Sequence, residues 1–385
     1  MADTQLNAAE IRRRFDATGG YTVGVEEEVM LLEPDTGELA PVAELVLARL
    51  EGDPRFTSEL PAAQLEIRTA PATTAAEAVA QLATARRDLA AAARGLAKIA
   101  VAGVHPTAAP VGQLSQEARY ASLIREYRPV AQRQLVAGLQ VHVAVGGADR
   151  SLAVYNSLIR YLPEVMALSA NAPFYAGQDS GMATVRPSIC VDLPRQGPPP
   201  RLESWEELTG ELRWGEIAGT VPDPSRWWWE LRPHVGHGTL ELRVPDAQTT
   251  LREAAGVIVL ARALVAALAV GHDAGRRPDP RPTWRIAENR WSAARHGLDG
   301  ELADLDTGQR TATRRRLDDL IDELAPVAGR LGDEGLLPLA RALVEANGAV
   351  HQRAAVARTG LEALPHWLAD RFLLDVERFA SRARG

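Results

Sequence analysis

Five stretches of this chain alternate with a period of two, and in each the polar set is built from ion-binding groups. The first, Tyr21–Leu32 (YTVGVEEEVMLL), is rich in β-branched residues and runs into the turn chemistry of Pro34-Asp35-Thr36-Gly37. Successive strand side chains point to opposite faces, so Glu26 and Glu28 share a face, about 6–7 Å apart. Val23, Val25 and Val29 take the other face, on which Glu27 is an anomaly. The same pattern sets Gln64, Glu66 and Arg68 against Leu65 and Ile67, and Gln140 and His142 against Val141, Val143 and Val145. It sets Glu230 and Arg232 against Trp229 and Leu231, and Thr239, Glu241 and Arg243 against Leu240, Leu242 and Val244. If these strands form one antiparallel sheet, its apolar face lies under helices and its polar face is a floor of acids flanked by arginines.

A merely solvated sheet face is padded with Thr, Ser and Lys, whereas Glu, Arg, His and Gln bind ions and oxyanions. Clustered carboxylates call for a divalent cation. The chain has one cysteine, Cys190, so the available ligands are hard oxygens and one imidazole, which suit Mg2+ or Mn2+ better than structural zinc. Arginines beside such a site suit a phosphate or a substrate carboxylate held by a two-pronged fork. Together these groups are the equipment of phosphoryl transfer. The competing reading is an exposed sheet face laced with surface ion pairs.

Composition narrows the function classes. The chain of 385 residues is 46% hydrophobic and 24% charged, as in an ordinary soluble globular protein. A net charge of −7 and the lack of a basic block argue against nucleic acid or a membrane as partner. One cysteine excludes an intrachain disulfide and fits a reducing compartment, and the N-terminal MADTQLNAAEIRRRF has no apolar run of a signal peptide. A cytoplasmic location is expected. The apolar segment Ala254–Gly271, interrupted by Arg262, reads as a buried helix and not a membrane span. Lys98 is the only lysine, and no Gly-rich loop precedes it, so any nucleotide is bound without a P-loop.

The order of elements predicts an α+β protein: a polar lead-in over 1–20, an α+β core over 21–250, and a mostly helical region over 251–385 packed on it as one compact unit. Helices are predicted over 41–50, 73–100, 116–135, 151–171 and 205–214, the last with Ser204 and Glu207 spaced as a capping box. Strands are predicted over 56–69, 101–105 and 139–145, with a hairpin of 226–232 and 239–245 around PHVGHG. Residues 178–200 read as an irregular Gly- and Pro-rich loop, and the C-terminal helices break at 276–282, 297–308 and near Pro365. His234 and His237 read as solvated turn residues. The run Trp227-Trp228-Trp229 reads as core and interface, and with the C-terminal helices it could serve a homo-oligomer.

Several long segments carry a resemblance. GVEEEVMLLEPDTGEL, ELPAAQLEIRTAP, GLQVHVAV, SANAPFYAGQDSGMATVRP, WWELRPHVGHGTLELRVPDAQTT and ENRWSAARHGLDG occur in this order from about residue 20 to residue 300. Together they resemble the carboxylate–amine ligases of the glutamate–cysteine ligase type 2 family. The resemblance implies a glutamine synthetase-like catalytic fold, in which a curved antiparallel sheet holds metal-bound ATP over its acidic face and helices pack on the other. The implied reaction joins glutamate and cysteine into γ-glutamylcysteine through a γ-glutamyl phosphate, releasing ADP and phosphate. It also implies that Glu26, Glu28, Glu66 and Glu241, with Glu59 as a weaker candidate, ligate metal together with His142. Arg232, Arg243 and Arg186 are candidates for the γ-phosphate or a substrate carboxylate. Gln64, Arg68, Gln140, Asn171 and Glu230 are candidates for substrate or nucleotide contact, although a helix C-cap accounts for Asn171 and an ion pair with Arg232 accounts for Glu230. The acceptor amine is not marked by any motif, so a different amine or acid, a non-catalytic nucleotide-binding relative and a metal-dependent hydrolase stay open.

Overall fold

In the computed structural model, which describes residues 7–276 and 283–380, the alternating stretches assemble into one antiparallel sheet of seven strands. These are β1 (Val23–Leu32), β2 (Phe56–Ser58), β3 (Gln64–Arg68), β4 (Lys98–Ala100), β5 (Leu139–Val143), β6 (Leu231–His234) and β7 (Thr239–Leu242). The order is β2-β3-β1-β5-β7-β6, with β4 pairing onto the end of β1. β1 is central. On it Glu28 faces Glu66 of β3, Glu26 lies between Arg68 and Gln140, and Gly24 faces His142 of β5. His142 in turn faces Glu241, and Glu241 faces Arg232. Register therefore gathers the polar set on one face, because a one-residue slip would send every acid into the core.

The opposite face is apolar and fully covered. Val23, Val25, Val29, Leu65, Ile67, Leu139, Val141, Leu240 and Leu242 are all buried, in one cluster that includes the helices Ala75–Ala93 and Leu251–Asp273. Helix Leu251–Asp273 begins with a complete capping box, Thr250 and Glu253, and is long and apolar enough to cross a bilayer. Most of its apolar side chains lie inside the protein instead. Arg262, within it, is buried against Asp333 and donates to the carbonyls of Thr73 (2.6 Å) and Tyr21 (2.7 Å). Glu27, the anomaly on the apolar face, is also paired: Arg86 holds it at 2.8 Å through Nε, and both side chains are wholly buried. The same guanidinium donates to the carbonyls of Gln248, Thr249 and Phe372.

The N-terminal lead-in contains a helix, Ala8–Ala17, that buries Ile11 and Phe15, with Phe15 packed on Trp205 at 4.6 Å between ring centroids. Residues 1–6 of that lead-in, and the break at 277–282, lie outside the described residues.

Element boundaries shift where backbone chemistry intervenes. The helix predicted over 73–100 stops at Ala93, since Gly95 turns into the left-handed region (φ 75°), and the strand comes early, at Lys98–Ala100 rather than 101–105. Pro163 splits 151–171 into Ala148–Leu158 and Leu162–Ser169, where it fits at the start of a helix. Pro129 and the left-handed Arg128 (φ 47°) divide 116–135 in the same way. The first hairpin strand starts at Leu231, after a single 3-10 turn at Pro224–Arg226, so the tryptophans before it leave the ladder. Ser204 caps Trp205–Ile217 as the spacing predicted, but the Glu207 carboxylate turns to the Glu203 amide.

Candidate active site

The polar face holds two clusters of metal-ligating groups side by side. In the first, ligand atoms of Glu26, His142 and Glu241 all lie within 4.8 Å of one another, and in the second so do those of Glu28, Glu59 and Glu66. The imidazole Nε2 of His142 is 3.6 Å from Glu26 and 4.0 Å from Glu241, too far to hydrogen-bond well, and it is buried with no hydrogen-bond partner. Its Nδ1 meets the Thr239 hydroxyl at 3.1 Å. A buried nitrogen aimed between two carboxylates with nothing to bind is the donor set of a cation site.

Electrostatics separates the clusters. Burial pushes the Glu241 carboxyl up, but Arg232 and Arg243 outweigh it and hold the group well below the ordinary carboxylate range. Glu26 is likewise lowered: burial raises it, while His142 and Arg243 pull it down more strongly. In the second cluster burial outweighs the arginines nearby. Burial raises Glu28. Burial and the neighbouring Glu28 lift Glu59 to about 7. Burial, then Glu59, Glu26 and Glu28, lifts Glu66 well above its ordinary value. Three carboxylates that resist ionising together are a site wanting a cation. Oxygen donors with a single imidazole suit Mg2+ or Mn2+, so the residues present fit such ions.

Arg243 and Arg186 stand at the edge of this floor. Arg243 is engaged by Glu241 and by the Gln140 carbonyl (2.9 Å), and the Gln140 amide nitrogen donates to Glu28 at 2.8 Å, so Gln140 ties an arginine to a candidate metal ligand. Glu28 also accepts from the Gly138 amide at 2.6 Å. Arg186, in the short helix Arg186–Cys190, lies against the carbonyls of Arg243, Val244 and Pro245, leaving its Nε without a partner. A Cβ at Gly138 would come within 2.5 Å of the Arg186 guanidinium, so only glycine lets it lie there.

Both arginines, with Glu28, Glu59, Gln64 and Glu230, line a cavity of about 180 Å3 that is also walled by Tyr120, Leu123, Leu193 and Trp228. Glu230 is buried, and its partner is Arg290 (Nε to the two oxygens, 2.7 and 2.9 Å), not Arg232.

Glu26, Glu66, Gln140, His142 and Glu241 lie on the sheet floor outside the lining of this cavity, and Arg232, Arg68 and Asn171 are not in it either. Arg232 is held by Glu241 and by the carbonyl of Ser225 at 2.9 Å, and borders a separate cavity beside Trp227 and His234. Arg68 sits at the exposed rim, 3.6 Å from Glu66. Asn171 is fully buried in a network with Asp246, Ala247, Thr249 and Gln352, and neither caps a helix nor reaches the cavity.

Sequence reasoning missed other members. His234 and His237 stack at 4.1 Å and both meet the His142 ring edge-on, so the turn histidines close over a candidate ligand; only His237 is exposed. Trp228, edge-on to Tyr127, lines the cavity. Asp246, raised to about 6 by burial despite Arg186, supports that arginine from below at 3.9 Å. Arg290 was visible only as part of the segment ENRW, because its partner lies sixty positions away.

A sequence model described as glutamate-cysteine ligase family 2 matches residues 22–366. The chain belongs to that family. Among its relatives in glutamate–cysteine ligase family 2, a Rubrobacter xylanophilus protein named "Putative glutamate--cysteine ligase 2-3" is 40% identical over 372 residues, covering 93% of this chain and 98% of that one. A Frankia alni protein named "Putative glutamate--cysteine ligase 2-1" is 34% identical over 354 residues, covering 89% and 92%. Among solved structures, a Francisella tularensis glutamate–cysteine ligase crystallised with AMP superposes with a TM-score of 0.69 at 11% identity, over 96% of this chain and 93% of that one. A bifunctional glutathione synthetase from Pasteurella multocida gives 0.67 at 14% identity, over 96% of this chain and 54% of that one. At such identities the likeness concerns the fold, and the α+β architecture of antiparallel sheet and helices is the one that the family resemblance implied.

Proposed function

We propose that this protein is an ATP- and divalent-cation-dependent carboxylate–amine ligase that activates the γ-carboxylate of glutamate and joins it to the amine of cysteine. The observation that carries the reading is the pair of carboxylate clusters on one sheet face, with Arg243 and Arg186 lining a cavity that Glu28 and Glu59 of the second cluster also line. Glu26, His142 and Glu241 would hold one Mg2+ or Mn2+, and Glu28, Glu59 and Glu66 a second. The ions supply charge neutralisation for the triphosphate.

The chain's own groups do the rest. Arg243 and Arg186 present fixed guanidinium donors to the phosphoryl group as it moves, and being already locked by Gln140 and by backbone carbonyls they need little reorganisation. A γ-carboxylate oxygen of glutamate attacks the γ-phosphorus of ATP, and ADP leaves. The amine nitrogen then attacks the acyl carbon, the amine loses a proton, and phosphate leaves with the oxygen that bridged it. The wall of Tyr120, Leu123, Leu193 and Trp228 shields the acyl phosphate from water.

ADP release in the presence of ATP, Mg2+ and glutamate, with and without each of a panel of amines, tests this. Release that depends on glutamate and rises sharply with cysteine is the expected result. Glutamate-dependent release indifferent to cysteine would keep the chemistry and change the amine. No release under any combination would overturn the reading in favour of a binding protein.

A further inference from the structure

Away from the sheet, a cavity of about 460 Å3 lies where the start of helix Leu251–Asp273 meets the helices Leu337–Glu345 and Gly348–Thr359 and the segment 367–374. No strand of the sheet contributes to its lining. Leu339, Leu343, Leu374 and the Trp367 ring form apolar walls, and Arg252, Arg358, Arg371 and His351 bring positive charge to it.

The acids nearby are Glu253, Glu345, Asp370 and Asp375. Glu253 is committed to the Thr250 cap and to His351 (3.0 Å). Asp375 answers Arg252 only at 3.8 Å. Glu345 is exposed at the edge. Among the described residues neither Arg358 nor Arg371 forms an ion pair. Arg371 lies flat on the Trp367 ring at 3.8 Å and donates to the Trp367 carbonyl. Both guanidiniums line the same cavity, and burial, then the charge of Arg358, lower the Arg371 pKa against the opposing charges of Asp370 and Glu253. Two like charges kept together over an aromatic and aliphatic wall are stabilised by an anion between them, and the wall has room for an apolar body attached to it.

We propose that this cavity is a second ligand site, taking a small organic anion whose phosphate or carboxylate group meets Arg358 and Arg371 and whose apolar part lies against Trp367 and the leucines. The site is separate from the sheet cavity and does not depend on the ligase reading.

Calorimetric titration of the full-length protein with phenyl phosphate, benzoate, inorganic phosphate and phenol tests it. At least one aromatic anion should bind with a Kd of about 1 mM or tighter. Phenol and inorganic phosphate should bind at least tenfold more weakly, and comparison of phenyl phosphate with benzoate tells which head group is preferred. R358Q/R371Q should weaken aromatic-anion binding at least tenfold, while R243Q, in the sheet cavity, should leave it unchanged. If the double variant does not fold, Arg358→Glu at an exposed position carries the same expectation. No binding of either aromatic anion, equal binding of inorganic phosphate or phenol, or loss in R243Q with retention in R358Q/R371Q would overturn the proposal.

Discussion

Glu59 and Glu66 show how residues on one sheet face can be arranged against their own stability. Burial raises both above the ordinary carboxylate range; Glu28 raises Glu59 further, and Glu59, Glu26 and Glu28 raise Glu66 further. A carboxyl whose folded pKa exceeds its unfolded value releases its proton first in the unfolded chain, so stability falls as pH rises from about 4.3 through about 7, the value of Glu59. The cluster's own contribution, read as the melting temperature of the metal-free protein relative to Glu66→Gln, should therefore fall between pH 5 and 8, and Mg2+ or Mn2+ should restore it at pH 8. The difference carries the signal because burial lowers His105 to about 4 and His234 to about 3, which shifts the total the other way below about pH 6.5. A flat pH profile of that difference, with no response to either ion, would contradict the two-cluster site. Glu66→Gln should also cut turnover by more than about 100-fold, since it removes the repulsion and a ligand together. Arg243 makes both its contacts, to Glu241 and to Gln140, through one nitrogen, Nη1, of its planar fork. Arg243→Lys keeps the charge and loses the fork, so ADP release should fall by about 10²–10³-fold; normal release would remove Arg243 from phosphate binding.

At the level of elements, β1 carries the candidate site on one face and an ion pair on the other. Glu26 and Glu28 face the site while Glu27, between them, is clamped by Arg86 from helix Ala75–Ala93. That clamp also joins the carbonyls of Gln248 and Thr249, just before the long helix, to Phe372 near the C-terminus. Arg86→Leu leaves Glu27 as an unpaired charge in the core and should cost about 3–5 kcal/mol in denaturant unfolding. The double variant Arg86→Leu/Glu27→Leu should recover part of that loss, and if it recovers none the carbonyl contacts of Arg86 matter more than the pair. Strand pairing was legible here because alternation and register both follow from a period of two. Helix ends were less so: Gly95 and Pro163 stop their helices for local reasons that periodicity averages over.

On the scale of the molecule, the apolar cluster runs from Ile11 in the first described helix to Ala380, and helix Leu251–Asp273 lies inside it. We propose that the α+β core and the C-terminal helices fold as one unit. Thermal unfolding followed by tryptophan fluorescence and by far-ultraviolet circular dichroism should then coincide, and a chain ending at residue 250 should fail to fold, because it exposes the sheet's apolar face. Separate transitions, or a folded 1–250 fragment, would divide the protein into two units.

The sequence alone determined the sheet, its polar and apolar faces, and the acids of the two clusters apart from Glu59, which came only with the family resemblance, because strand alternation is a local property that survives without knowledge of the partner strand. It also carried the family, through long ordered segments. Which acids group into which cluster, the pairing of Glu230 with Arg290, the retreat of Arg232 and Asn171 from the cavity, and the histidines closing over His142 were decided only by tertiary structure. Each depends on distances between residues tens to hundreds of positions apart, and on burial, which sets a side chain's charge state only once its neighbours are in place.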